Sequence, residues 1–172
     1  MHCSNPFEIF FSDCWDISKD KVVYEYQDWG DVYLVEFFIT VTNLPSAETN
    51  VFRFTSTTGN DNGDGDHIPL FSTQNDGKLM FRSSVNNDFN YDFELGKMYH
   101  VSIGQQIDNE DGKYWYEILI DGDSKLKIEN KNHTSYTNVK LYASDSFNDP
   151  FISDFGSICH VKIQPEPKQP EG

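Results

Sequence analysis

The chain has 172 residues, 28 acidic against 13 basic, with a formal charge of −15 and 15% aromatic side chains. That length suits one domain, and 14 Phe, 9 Tyr and 3 Trp are more apolar bulk than a disordered acidic chain carries. The charge repels nucleic-acid phosphates, and with only Arg53 and Arg82 as arginines there is no basic cluster to offset it, so nucleic-acid binding is excluded as a function class.

In chain order, the opening residues mix Glu8 and Asp13 with Phe10 and Phe11 and do not read as a signal peptide; a mature extracellular end and a cytosolic start look alike here. No run of 18 apolar residues occurs, so no transmembrane helix is expected. The first clear element is a strand in which Tyr33, Val35, Phe37, Ile39 and Val41 alternate with Leu34, Glu36, Phe38 and Thr40, ended by Asn43-Leu44-Pro45-Ser46. Phe52 and Phe54 flank Arg53 in the next, and Thr55 to Thr58 remain β-prone. Leu79 and Phe81 alternate with Lys78, Met80 and Arg82; then follow Tyr91-Asp92-Phe93 and a strand with Tyr99, Val101 and Ile103. The polar turn Asp108 to Gly112 leads into Tyr114, Tyr116, Ile118 and Ile120 on one face and Trp115, Glu117 and Leu119 on the other. Asp121-Gly122 is a tight-turn pair before Leu126 and Ile128. Val139 and Leu141 mark another strand, and Ile158 to Ile163 the last.

A period of two almost throughout, with no apolar stripe at helical spacing, predicts an all-β fold: two antiparallel sheets packed as a jelly-roll sandwich. The expected domain covers residues 1–163. The polar, proline-containing stretch 164–172 reads as a tail or a linker within a larger parent.

Three cysteines fit no zinc or redox motif. Cys159 shares parity with Val161 and Ile163, which would point it inward; Cys14–Cys159 or Cys3–Cys159 would tie the first strand region to the last, Cys3–Cys14 is the local alternative, and three buried or inert thiols are the remaining outcome. Cys14 with Cys159 is the pairing expected here.

The stretch Asn138-Val139-Lys140-Leu141-Tyr142-Ala143-Ser144-Asp145, followed by Phe147, Pro150 and Gly156, resembles a family of animal extracellular domains labelled farnesoic acid O-methyltransferase-like. Asn50 to Thr55, Gly65-Asp66-His67-Ile68-Pro69 and Tyr116 to Gly122 fit the same pattern in order, so the resemblance runs from about residue 20 to residue 163. More broadly the chain resembles concanavalin A-like jelly rolls of the laminin G and pentraxin type. The resemblance implies a secreted or surface-exposed recognition or adhesion module whose partner is a glycan or an extracellular protein, either within a multidomain parent or as a homo-oligomer. It does not imply methyl transfer. A doubly wound methyltransferase needs a Gly-rich strand-to-helix turn, which is missing, and no organic cofactor is expected.

Two acidic groups are candidate calcium sites, because calcium takes six to eight hard oxygens. The first is Asn60 to His67, with Asp61, Asp64 and Asp66 as ligands; it is not an EF-hand, since Ser72 stands where the bidentate Glu belongs. The second is Asp145, Asn148, Asp149 and Asp154, which loops at one end of a sandwich could bring near Asp121 or Asp123. Against both stands a solvated loop, or Asp145 capping its own strand. For glycan binding, Asn60 and Asp61 are polar candidates, and Trp15, Trp29, Phe89, Tyr136 and Phe147 are candidate stacking rings because they lie beside turns. Trp115, inside a strand, is expected under the opposite sheet.

The enzyme alternative is a jelly-roll glycoside hydrolase, which needs a carboxylate pair; Glu36 and Glu117 each stand alone on their strands, and no catalytic residue is predicted. A non-catalytic structural matrix domain is the third reading. The histidines are scattered, with His100 and His160 on polar strand faces. Asn132-His133-Thr134 is an N-glycosylation triplet, which matters only in the secretory pathway.

Overall fold

The computed structural model describes residues 8–15, 17–19, 21–57, 67–83, 88–144, 149–150 (backbone only) and 154–166. Among them there are thirteen strands and no helix. In chain order they are β1 (Ile9–Cys14), β2 (Lys21–Trp29), β3 (Tyr33–Val41), β4 (Thr49–Thr55), β5 (Leu70–Thr73), β6 (Lys78–Arg82), β7 (Phe89–Asp92), β8 (Met98–Ile107), β9 (Tyr114–Ile120), β10 (Asp123–Glu129), β11 (Tyr136–Ala143), β12 (Asp149–Pro150) and β13 (Gly156–Pro165).

They form two sheets, β1-β13-β3-β8-β9-β10 and β2-β11-β4-β5-β6-β7. The short β12 runs parallel to the start of β4; every other pairing is antiparallel. The alternation in β3 survives folding intact: Tyr33, Val35, Phe37, Ile39 and Val41 are buried between the sheets, while Leu34, Glu36, Phe38 and Thr40 lie half-buried on the outer face. Across the gap Phe37 meets Phe52 and Phe71 at ring-centroid distances of 5.2 and 4.9 Å, and Phe71 meets Phe81 at 4.9 Å. Each such pair adds about 0.5–1.5 kcal/mol beyond its buried area.

Pattern reading missed β1, β2, β5 and β12. In β2 a register shift opposite Leu141 and Tyr142 breaks the alternation: Tyr24 is exposed while Tyr26, two residues on, is buried. The other three are no more than six residues long, too short for the pattern to declare itself. At the other end of the chain, β13 continues two residues past the expected boundary at 163. Gln164 pairs with Leu34, Pro165 with Tyr33, and the Glu166 N–H donates to the Val32 carbonyl. Pro165 costs nothing there because it is the last residue of the strand.

Cys14 and Cys159 are disulfide-bonded, 145 residues apart in sequence, joining β1 to β13 where both strands change register. Closing so long a loop removes much unfolded-chain entropy, typically about 2–4 kcal/mol. Cys3 lies outside the described residues.

The topology sorts the connections to two ends. The 42–48 connection, the β5–β6 and β7–β8 turns, Asp121-Gly122 and the β11–β13 segment share one end. The β2–β3, β4–β5, β6–β7, β8–β9 and β10–β11 connections share the other.

Candidate functional site

The two outer faces differ in cover. On the β2–β7 sheet, Asn50, Arg53, Thr55, Leu70, Ser72 and Met80 are all buried. Arg53 Nη2 lies 3.4 Å from His67 Nε2, Ser72 donates to Glu48 at 3.1 Å, and Gln74 donates to the Met80 sulfur at 2.9 Å. The middle of this face, over β4 to β6, is covered, while Val22 and Tyr24 on β2 stay exposed.

The outer face of the β1–β10 sheet is open and holds a groove of about 380 Å3. Its floor is Gly104, whose register partners are Leu34 on β3 and Glu117 on β9. A Cβ at Gly104 would stand 3.0 Å from the Tyr33 carbonyl oxygen and 3.2 Å from Leu34 Cδ1, so a larger residue would press on the β3 backbone and on Leu34. Trp115 forms one wall, half-buried, with Lys127 Nζ 5.6 Å from its ring centroid. Gln106 and Asp108 are exposed at one end of the groove, and Ser102 is buried near the other. A second hollow of about 450 Å3 shares Leu34, Gln106 and Ile107 with the first and adds Asn109, Gln164 and Glu166. Together they make one trough crossing the sheet from β10 to β13. Four inter-strand spacings put its length at about 19 Å.

The trough is chemically mixed. Glu117 and Lys127 oppose each other in register, and the carboxamides of Gln106, Asn109 and Gln164 each carry donors and an acceptor. Beside the trough, Glu36 is held by Lys162 at 3.8 Å and His100 at 3.8 Å, and Phe38 stacks on His100 with centroids 4.7 Å apart. Glu36 and Glu117 share this face but stand two strands apart, about 10 Å between backbones.

The stacking candidates fare differently. Trp29, expected beside a turn as a sugar platform, is instead 1% exposed in a core cluster, 5.0 Å from Tyr26, 5.3 Å from Tyr33 and 4.9 Å from Phe54. It follows the buried Tyr26 by three residues, out of phase with strict alternation, where the partner strand carries Asn138 at a φ of 55°. Phe89 faces Phe81 at 5.8 Å as an edge of the core, and Tyr136, the register partner of Trp29, also packs against the core. Trp15 is partly buried against Phe11 and Phe52. Trp115 reverses its expectation: it faces outward, not under the other sheet. Its parity with Glu117 and Leu119, opposite to Tyr116 and Ile118, was the available signal.

Asn60, Asp61, Asp64, Asp66, Asp145 and Phe147 lie outside the described residues, as does the side chain of Asp149. The backbone of Asp149 pairs with Thr49 at the end that also carries Asp121 and Asp154, whereas Thr55, the last residue of β4, lies at the opposite end. Asp121 caps the β9–β10 turn, its carboxylate accepting the His100 N–H at 3.0 Å, with positive φ at both Asp121 and Gly122. Among the described residues no group of three or more His, Cys, Asp or Glu is placed to hold a metal.

No protein-family model and no curated protein matches the sequence. The structure is similar to a heptameric SAP-like pentraxin from Limulus polyphemus, at 15% identity and TM-score 0.53, covering 94% of this chain and 77% of that one. It is similar also to the receptor binding domain of botulinum neurotoxin D, at 14% identity and TM-score 0.53, covering 94% and 41%. A third is a Trypanosoma rangeli sialidase in complex with sialic acid, at 14% identity and TM-score 0.51, covering 80% of this chain but only 21% of the sialidase. The fold is an antiparallel two-sheet jelly-roll sandwich. At these identities the likeness speaks for the fold alone, and this jelly roll spans about a fifth of the sialidase.

Proposed function

We propose that this jelly roll is an extracellular recognition module that binds an extended, largely neutral glycan in the Trp115 trough. The trough carries the reading. An aromatic wall offers a stacking surface for a sugar ring, and carboxamides with one balanced Glu–Lys pair suit hydroxyls better than phosphates or sulfates. Support comes from the disulfide, a bond characteristic of oxidising compartments, from structural neighbours that include a toxin receptor-binding domain and a sialidase–sialic acid complex, and from the resemblance to farnesoic acid O-methyltransferase-like domains.

A glycan array followed by titration of intrinsic Trp fluorescence tests the proposal. Trp115→Ala is expected to weaken the best ligand at least tenfold, about 1.4 kcal/mol, with the fold retained. Equal binding by Trp115→Ala and the parent would sink it. The same titration with calcium and with chelator tests cation assistance: a loss on chelation assigns calcium to the segments carrying Asp61, Asp64, Asp66, Asp145 and Asp149. Release of reducing ends, abolished by Glu117→Gln, would move the reading to a hydrolase, since Glu117 lines the trough.

A further inference from the structure

Asn132-His133-Thr134 is the only Asn-X-Ser/Thr triplet in the 172 residues. It falls in the β10–β11 connection, and the structure treats its members differently. Asn130 is buried: its N–H donates to the Tyr114 carbonyl, its carboxamide nitrogen donates to Gln105 Oε1 at 2.6 Å, and its carboxamide oxygen accepts the Asn132 N–H at 3.0 Å. Gln105 in turn donates to the Asp31 carbonyl. His133, itself exposed, lies against the surface, its ring stacked on Tyr114 at 3.5 Å and its Nδ1 3.1 Å from Asp31 Oδ2. The backbone on both sides of Asn132 is therefore anchored, while Asn132 itself is exposed and its carboxamide meets no protein group among the described residues. Thr134 is exposed too, held only by a 3.4 Å bond to the Ser135 carbonyl.

We infer that Asn132 carries an N-linked oligosaccharide, attached in the secretory pathway and accommodated by the folded turn without rearrangement. In the transfer, Asn132 Nδ2 loses a proton and bonds to the anomeric carbon of a lipid-diphosphate-linked oligosaccharide. The C–O bond to the diphosphate breaks, and the lipid diphosphate leaves with the electron pair. The attached sugar stands beside β10, an edge strand of its sheet, and shields ladder groups that would otherwise be open to another chain. The inference rests on the extracellular reading.

The test expresses the full chain behind a secretion leader in animal cells and treats the secreted protein with peptide N-glycosidase. The expected result is loss of one oligosaccharide mass, conversion of Asn132 to Asp in the peptide map, and no shift for Asn132→Gln or Thr134→Ala, both secreted with the disulfide intact. Secreted, oxidised protein with bare Asn132 overturns the glycan and leaves the extracellular reading standing. A parent chain retained in the cell with Cys14 and Cys159 reduced overturns both.

Discussion

The outer faces of the two sheets start from the same alternation and end in opposite states. On β4, Arg53 sits between Phe52 and Phe54 and is 4% exposed; on β9, Trp115 sits between Tyr114 and Tyr116 and lines an open trough. A charged side chain is sealed and the largest apolar one is left half in water. Hydropathy alone would place them the other way round, so tertiary cover overrides side-chain preference on both faces. A buried cation is costly unless paired, which ties Arg53 to structure. A half-exposed Trp in a polar trough is the feature on which the proposed glycan binding rests.

The largest expected effect concerns the layer between these faces, the reference for both. Burial pushes the hydroxyls of Tyr26, Tyr33 and Tyr116 above the usual tyrosine range. Below about pH 10 the tyrosines are neutral folded and unfolded, and their contribution is fully present. Above that, the unfolded chain sheds protons that the folded one keeps, so stability falls as pH rises. Three such groups give a slope of about 4 kcal/mol per pH unit. Urea midpoints at about pH 9 and about pH 11 check this, and equal midpoints would show that the inner tyrosines ionise freely in the fold.

Next in size, Arg53→Ala is expected to cost about 3 kcal/mol, because it empties the space of a 4%-exposed side chain and removes its contact with His67. Chemical denaturation measures it, and a loss no greater than that of a surface substitution would mean the middle of the β2–β7 face is not covered in solution. The smallest effect belongs to the open face: Lys127→Ala should move stability by no more than about 0.5 kcal/mol. A large destabilisation by Lys127→Ala would remove the contrast from the other side.

Much of the architecture was legible before folding. The alternations of Tyr33 to Val41 and Tyr114 to Ile120 separated the two faces of each strand, whereas the shared parity of Cys159 and Val161, which pointed Cys159 inward, fails: the register shifts between Cys159 and Lys162, His160 has a φ of 52°, and Cys159 is half-buried opposite Phe38. The stacking residues were not legible. Trp29 reads as a platform because it borders a turn, but β2 does not hold a strict alternation: Tyr26 and Trp29, three residues apart, both turn inward, opposite a partner strand with Asn138 at a φ of 55°.

A side chain's direction relative to its own backbone is a local property, so composition and a period of two sufficed for the all-β class, the two-layer packing and the facing of Trp115 away from Tyr116. Whether an outward side chain then meets water or another segment depends on contacts between residues far apart in sequence, such as Arg53 with His67 or Leu34 with Gly104. That choice, which covered the middle of one face and left a trough on the other, was made only when the sheets were assembled.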